Sequence, residues 1–133
     1  MQDGLTIGEL ARRVGVNIET IRYYERAGLM PPPPRTQGGR RKYSESDVKT
    51  LAFIRKARAL GFHLEDTRTL LRLRGPDNAC SDVTQIAQRH LEEVQAELRR
   101  VAEVERILSQ ALAQCRGGTT RACPVLKVLE NAG

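Results

Sequence analysis

The sequence predicts a mainly α-helical protein: a winged helix-turn-helix, one long helix that pairs with another helix, and a short tail carrying thiols. Three observations predict it. The apolar side chains are mostly Leu, Val, Ile and Ala, with aromatic residues at only 4%, which suits helices packed on helices. Apolar residues recur at helical spacing from Ile7 onward. Between Ser81 and Gln114 there is neither Pro nor Gly, so nothing interrupts a long helix.

The segment 6-TIGELARRVGVNIETIRYYERAGLM-30 spells two short helices and a turn. Ile7, Leu10, Ala11 and Val14 form the apolar stripe of the first helix. Gly15 can take the left-handed conformation of a C-terminal cap, and Asn17 can cap the second helix. There Val16, Ile21 and Leu29 are expected inward, and Arg22, Tyr24 and Arg26 outward. Gly28 ends it. A small apolar wedge bearing a basic, aromatic helix is the shape of a helix-turn-helix. The pattern also occurs in proteins that bind no DNA.

Next comes 31-PPPPRTQGGRRKY-43. The prolines give a stiff connector, and Gly38 and Gly39 permit a tight turn before Arg40, Arg41 and Lys42. A basic hairpin after a helix-turn-helix reads as a phosphate-contacting wing; the plain alternative is a solvated loop. Ser44 then caps a helix over 45–61, with Val48, Leu51, Ile54 (or Ala52) and Leu60 marking its buried face. A further helix over 64–74 closes at Gly75 and Pro76.

The long segment carries a heptad seam: Thr84, Ala87, Leu91, Val94, Leu98, Val101, Glu105, Leu108 and Leu112. Its alternation of three and four is what a coiled coil requires. Glu105 is the poor position, where Val104 can share the work. A second copy of the chain is the simplest partner. One step further each way, the seam lands on Cys80 and Cys115. At 1.5 Å per residue they stand roughly 50 Å apart within one chain. A parallel dimer would bring Cys80 beside the partner's Cys80. An antiparallel dimer would bring Cys80 beside the partner's Cys115, with Cys123 folding back to the same place, and so build two equivalent three-thiol sites. A single Cys on an apolar seam is ordinarily a small buried hydrophobe; three in this arrangement point to a shared site.

Three thiolates make a soft ligand set. The loop RGGTTRA between Cys115 and Cys123 offers no His, Asp or Glu, whereas zinc ordinarily takes four ligands. His63 and His90 are expected as surface or capping residues. Mercury(II) fits best, then lead(II) or arsenic(III). Pro124 starts a short helix over 124–130, with Cys123 at its N-terminal end.

The net charge is +6, and residues 12 to 74 carry most of the positive excess, which suits nucleic acid at the N-terminal part. No run of about 18 apolar residues is present to span a membrane, and MQDGLTIGEL lacks a signal-peptide pattern. The expected location is the cytoplasm. Thiols stay reduced there, and an odd count of 3 cysteines weakens a disulfide framework. No catalytic constellation is visible, so no enzyme is expected. A rival class is a metal carrier without specific DNA binding.

The run TIGELARRVGVNIETIRYYERAGLM, followed by RRKYSESDV and KARALGFHLEDTRTLLRL, resembles the N-terminal domain of MerR-family transcription regulators. The tail, with CSDV, a long helix and CRGGTTRACPVL, is similar to the metal-sensing branch, above all its mercury-responsive members. The resemblance covers essentially the whole chain. It implies a winged-helix DNA-binding domain (1–75), a long antiparallel dimerisation helix (76–115) and a C-terminal metal-binding tail (116–133). It implies a homodimer on promoter DNA that represses without metal and activates with it. Activation bends and untwists a promoter whose spacer is too long for RNA polymerase. By motif position, Arg22, Tyr24 and Arg26 correspond to recognition-helix contacts, and Arg40, Arg41 and Tyr43 to the wing. Cys80, Cys115 and Cys123 correspond to the mercury ligands. One departure stands out: 7 residues separate the last two cysteines, one fewer than in the family's mercury sensors and as many as in its copper sensors. The copper sensors lack a cysteine at the start of the long helix, so Cys80 argues for a divalent ion. Hg(II) is the expected effector, with Pb(II), Cd(II) or Zn(II) as alternatives.

Overall fold

The first three helices begin where a polar side chain takes over free backbone N–H groups. Helix α1 (Ile7–Val14) opens on a reciprocal cap: the Glu9 amide donates to Thr6 Oγ1 at 3.1 Å, and the Thr6 amide to Glu9 Oε1 at 2.9 Å. It closes on Gly15, whose φ of 85° is left-handed. Asn17 caps α2 (Ile18–Arg26) by accepting from the Thr20 amide at 2.8 Å. Ser44 and Asp47 form a second reciprocal cap on α3 (Glu45–Ala59). Helix α4 (Leu64–Leu73) starts after His63, whose side chain makes no capping bond. The computed structural model describes residues 4–32, 42–115, 117–118 and 120–131.

The chain forms two compact units, residues 1–86 and 87–133. In the first, Leu10, Ile21, Met30, Tyr43, Leu51 and Ile54 are almost fully buried in one core. Two ties add polar registration. Arg13 reaches from α1 to Glu45 with two bonds, 2.6 and 3.1 Å. Arg74 donates to Thr50 at 2.9 Å and lies 5.3 Å from the Phe53 ring centre, joining the end of α4 to α3. Beside the helices, Leu5 and Tyr43 form an isolated antiparallel bridge, with both backbone bonds at 2.8 Å. The wing hairpin expected between Pro31 and Tyr43 falls largely on residues 33–41, outside the described residues.

One core expectation needs correction. Leu60 is 56% exposed, and Ala57 takes the place it was expected to fill. The helix ends at Ala59, and Leu60 is its C-cap, so the stripe stops one step short.

Helix α5 (Cys80–Gln114) is uninterrupted over 35 residues. From Ala87 on, its seam faces solvent in the single chain: Leu91, Val94, Leu98, Val101, Leu108 and Leu112 are between 39% and 64% exposed. The flanks are salted by pairs within the helix, Glu97 with Arg100 and Glu103 with Arg106. In the same unit α6 (Pro124–Glu130) lies along the end of α5. A groove between them is lined by Ile107, Ala111, Pro124 and Val128 among others, and Ala111 is buried there. Among the described residues no helix is long and apolar enough to cross a membrane.

Candidate metal centre and nucleic-acid interface

Cys80 is the first residue of α5 and is exposed. Its Sγ lies 3.8 Å from Thr84 Oγ1, one helical turn on. The Thr84 hydroxyl also donates to the Cys80 carbonyl at 2.9 Å. Having spent its only proton there, it faces the sulfur as an acceptor. Cys115 follows the last residue of α5, is exposed, and donates its amide to the Leu112 carbonyl at 3.1 Å. Cys123 occupies the N-cap of α6, half-buried. The connection between these two thiols passes through Gly117 and Gly118, with φ of 79° and 97°. Glycine adopts such angles without strain, and the chain bends there.

Cys80 and Cys115 thus stand at opposite ends of α5, as the heptad count requires. Among the described residues no three or more His, Cys, Asp or Glu side chains come together. His63 sits at the start of α4. The His90 side chain is mostly covered, with Nδ1 3.8 Å from a Glu93 carboxylate oxygen.

On α2, Arg22 and Arg26 are exposed, as expected; Arg22 lies 3.6 Å from Glu19. Tyr24 is not on that face. It is 8% exposed and belongs to the core, while Tyr23 is 47% exposed, with the two ring centres 5.6 Å apart. Helix geometry explains the correction: residues two apart differ by about 200° around the axis, so Tyr24 cannot share a face with Arg22 and Arg26. Tyr23, three residues before Arg26, can, and that spacing is the signal which would have found it. Tyr43 is likewise corrected. Its ring is 1% exposed, and its hydroxyl donates to Glu25 Oε2 at 2.6 Å, so it faces α2 rather than a groove of DNA. Arg40 and Arg41 lie outside the described residues.

Two carboxylates at helix starts in the first unit are shifted. Glu9 is held below its ordinary value by the Thr6 backbone and side-chain hydrogen bonds. Glu45 is held below its own by the bond from Arg13.

Residues 5–73 match the model of the MerR HTH family regulatory protein, and residues 48–111 match a second model, MerR, DNA binding. The mercuric resistance operon regulatory protein of Serratia marcescens is 37% identical over 130 residues, covering 96% of this chain and 89% of that protein. The transcription regulator PbrR691 from Ralstonia metallidurans CH34, solved in complex with lead(II), superposes with a TM-score of 0.79 at 34% identity, covering 94% of this chain and 98% of that one. The dual function regulator MerR of Bacillus megaterium MB1, solved with mercury(II), gives 0.69 at 32% identity, covering 96% and 100%.

Proposed function

This chain belongs to the MerR family of helix-turn-helix regulators, and we propose that it is a mercury-responsive member acting as an antiparallel homodimer on promoter DNA. Residues 1–75 bind DNA, 76–115 pair the subunits and 116–133 complete the metal site. Without metal the dimer represses. With Hg(II) bound it distorts the promoter so that RNA polymerase can engage, turning on a metal-resistance operon.

The observation that carries this reading is the exposed apolar seam of α5, with a cysteine at each end. Burying those side chains is the driving force for pairing. Running the partner helix in reverse sets Cys80 against the partner's Cys115. The same register sets Val94 against the partner's Val101 and Leu91 against the partner's Val104, so packing and ligation agree. Cys123, on the far side of the glycine turn, supplies the third sulfur. Three sulfurs with no His, Asp or Glu in the intervening loop suit a soft ion content with few ligands. Bound there, the metal supplies a crosslink between two subunits, and so a means of altering the angle between their DNA-binding units. Arg22 and Arg26, with Arg40 and Arg41, contact the DNA.

Lead(II) is the second reading, favoured by the lead-bound relative; cadmium(II) and zinc(II) follow. The test is a titration of the reduced protein with mercury(II), lead(II), cadmium(II), zinc(II) and copper(I) under a competing thiol. Tight mercury binding that is lost in Cys80→Ser is expected. A preference for lead keeps the mechanism and changes the signal. Tight copper(I) binding that survives Cys80→Ser overturns the three-thiol site.

A further inference from the structure

Cys80 opens α5, and Thr84 stands one turn further along the same helix. Residues four apart lie one above the other, and helical side chains lean toward the N-terminus, so Thr84 reaches back over Cys80. Its hydroxyl donates to the Cys80 carbonyl at 2.9 Å, and the same Oγ1 lies 3.8 Å from the Cys80 sulfur. In a regular α-helix that carbonyl already accepts the amide four residues on. The hydroxyl's bond to it is therefore a second one and can be given up. From this contact we infer that Thr84 is a positioning residue for the metal site, its hydroxyl turning from the Cys80 carbonyl to donate to the Cys80 sulfur when that sulfur is a metal ligand. The inference rests on the three-thiol reading and names the residue that steadies one of its ligands.

The chemistry of the sulfur favours the exchange. A cysteine that binds a metal does so as the thiolate, so it no longer donates to Oγ1 and becomes an acceptor. Three thiolates around a divalent ion keep a net negative charge, and a hydroxyl donating to one of them makes a charge-assisted bond. The proton moves by rotation about the Cβ–Oγ1 bond, with the oxygen left in place. The Cys80 side chain is exposed and can shorten the distance by rotating about χ1. Thr84 and Cys80 are both seam positions, so the pair lies on the face turned to the partner. A group that hydrogen-bonds a metal's ligand fixes that ligand's orientation, and its loss costs about 10- to 100-fold in metal affinity.

The experiment titrates the reduced full chain with mercury(II) under a competing thiol and records the sulfur-to-mercury charge-transfer absorption. The proteins are the wild type, Thr84→Val, Thr84→Ser and Cys80→Ser. Valine keeps the branched shape and removes the hydroxyl; serine keeps the hydroxyl and removes the methyl. Thr84→Val is expected to bind mercury(II) about 10- to 100-fold more weakly. Its absorption band should move to longer wavelength, because the sulfur electrons are no longer stabilised by a donated proton. Thr84→Ser should resemble the wild type in both respects. Three results overturn the inference: Thr84→Val binding like the wild type, a weaker Thr84→Val whose band does not move, or Thr84→Ser losing as much affinity as Thr84→Val. The last two would make the threonine a packing residue. A wild-type protein that binds no mercury(II) tightly, or whose binding survives in Cys80→Ser, overturns the three-thiol reading itself, and the inference with it.

Discussion

Truncating Leu98 to alanine probes the pairing of α5 directly. Leu98 lies near the middle of the seam and is 64% exposed in the single chain. Full burial of a leucine is worth about 1.5–3 kcal/mol. The part still exposed is thus worth about 1–2 kcal/mol per copy, or about 2–4 kcal/mol for the two copies that meet near the dimer axis. Leu98→Ala should raise the dimer dissociation constant by roughly 30- to 1,000-fold. Sedimentation equilibrium over a range of protein concentrations reads this out. Glu103→Ala, on the opposite face and paired with Arg106 on the surface, should change it by less than about two-fold. Equal effects of the two substitutions, or a wild-type protein that stays monomeric, would refute the reasoning.

The other expectations concern the DNA-binding unit. Gly15→Ala should cost about 1–2 kcal/mol in urea unfolding, because a residue with a β-carbon is strained at φ 85° even though the nearest atom to that carbon, Arg55 Cζ, is 3.9 Å away. Gly15→Asn should cost less, and equal losses would point to crowding instead. Stability should hold from neutral pH downward and fall as pH drops below the unfolded-state value of 4.5, since Glu9 and Glu45 are held lower in the folded chain and must be protonated. Glu9→Gln, which keeps an acceptor but cannot titrate, should flatten that fall in thermal melts. An unchanged pH slope would remove Glu9 from the account.

The fold was largely legible because its signals are local. Thr6, Gly15, Asn17 and Ser44 sit at helix ends whose chemistry depends on a few neighbouring residues. The seam of α5 was readable for another reason: a heptad count needs only residue identity and an unbroken helix. What failed to show were relations across the chain. That Tyr43 is buried against α2 depends on the bridge to Leu5 and on Glu25, and neither contact leaves a trace in the residues beside Tyr43. The Tyr24 misreading was different in kind, since the periodicity needed to place Tyr23 outward was present and a two-residue spacing was followed instead. For the three cysteines, sequence and structure agree on where each stands along α5 and α6; the site proposed to join them would lie between subunits.

The central claim is that one subunit's Cys80 and the partner's Cys115 and Cys123 hold the same ion. Mixing Cys80→Ser with the double variant Cys115→Ser/Cys123→Ser, allowing subunits to exchange and titrating mercury(II) under a competing thiol tests it most directly. Each variant alone should bind no mercury tightly, and the mixed dimer should regain one of its two sites. A mixture that binds no better than its components would contradict the shared site.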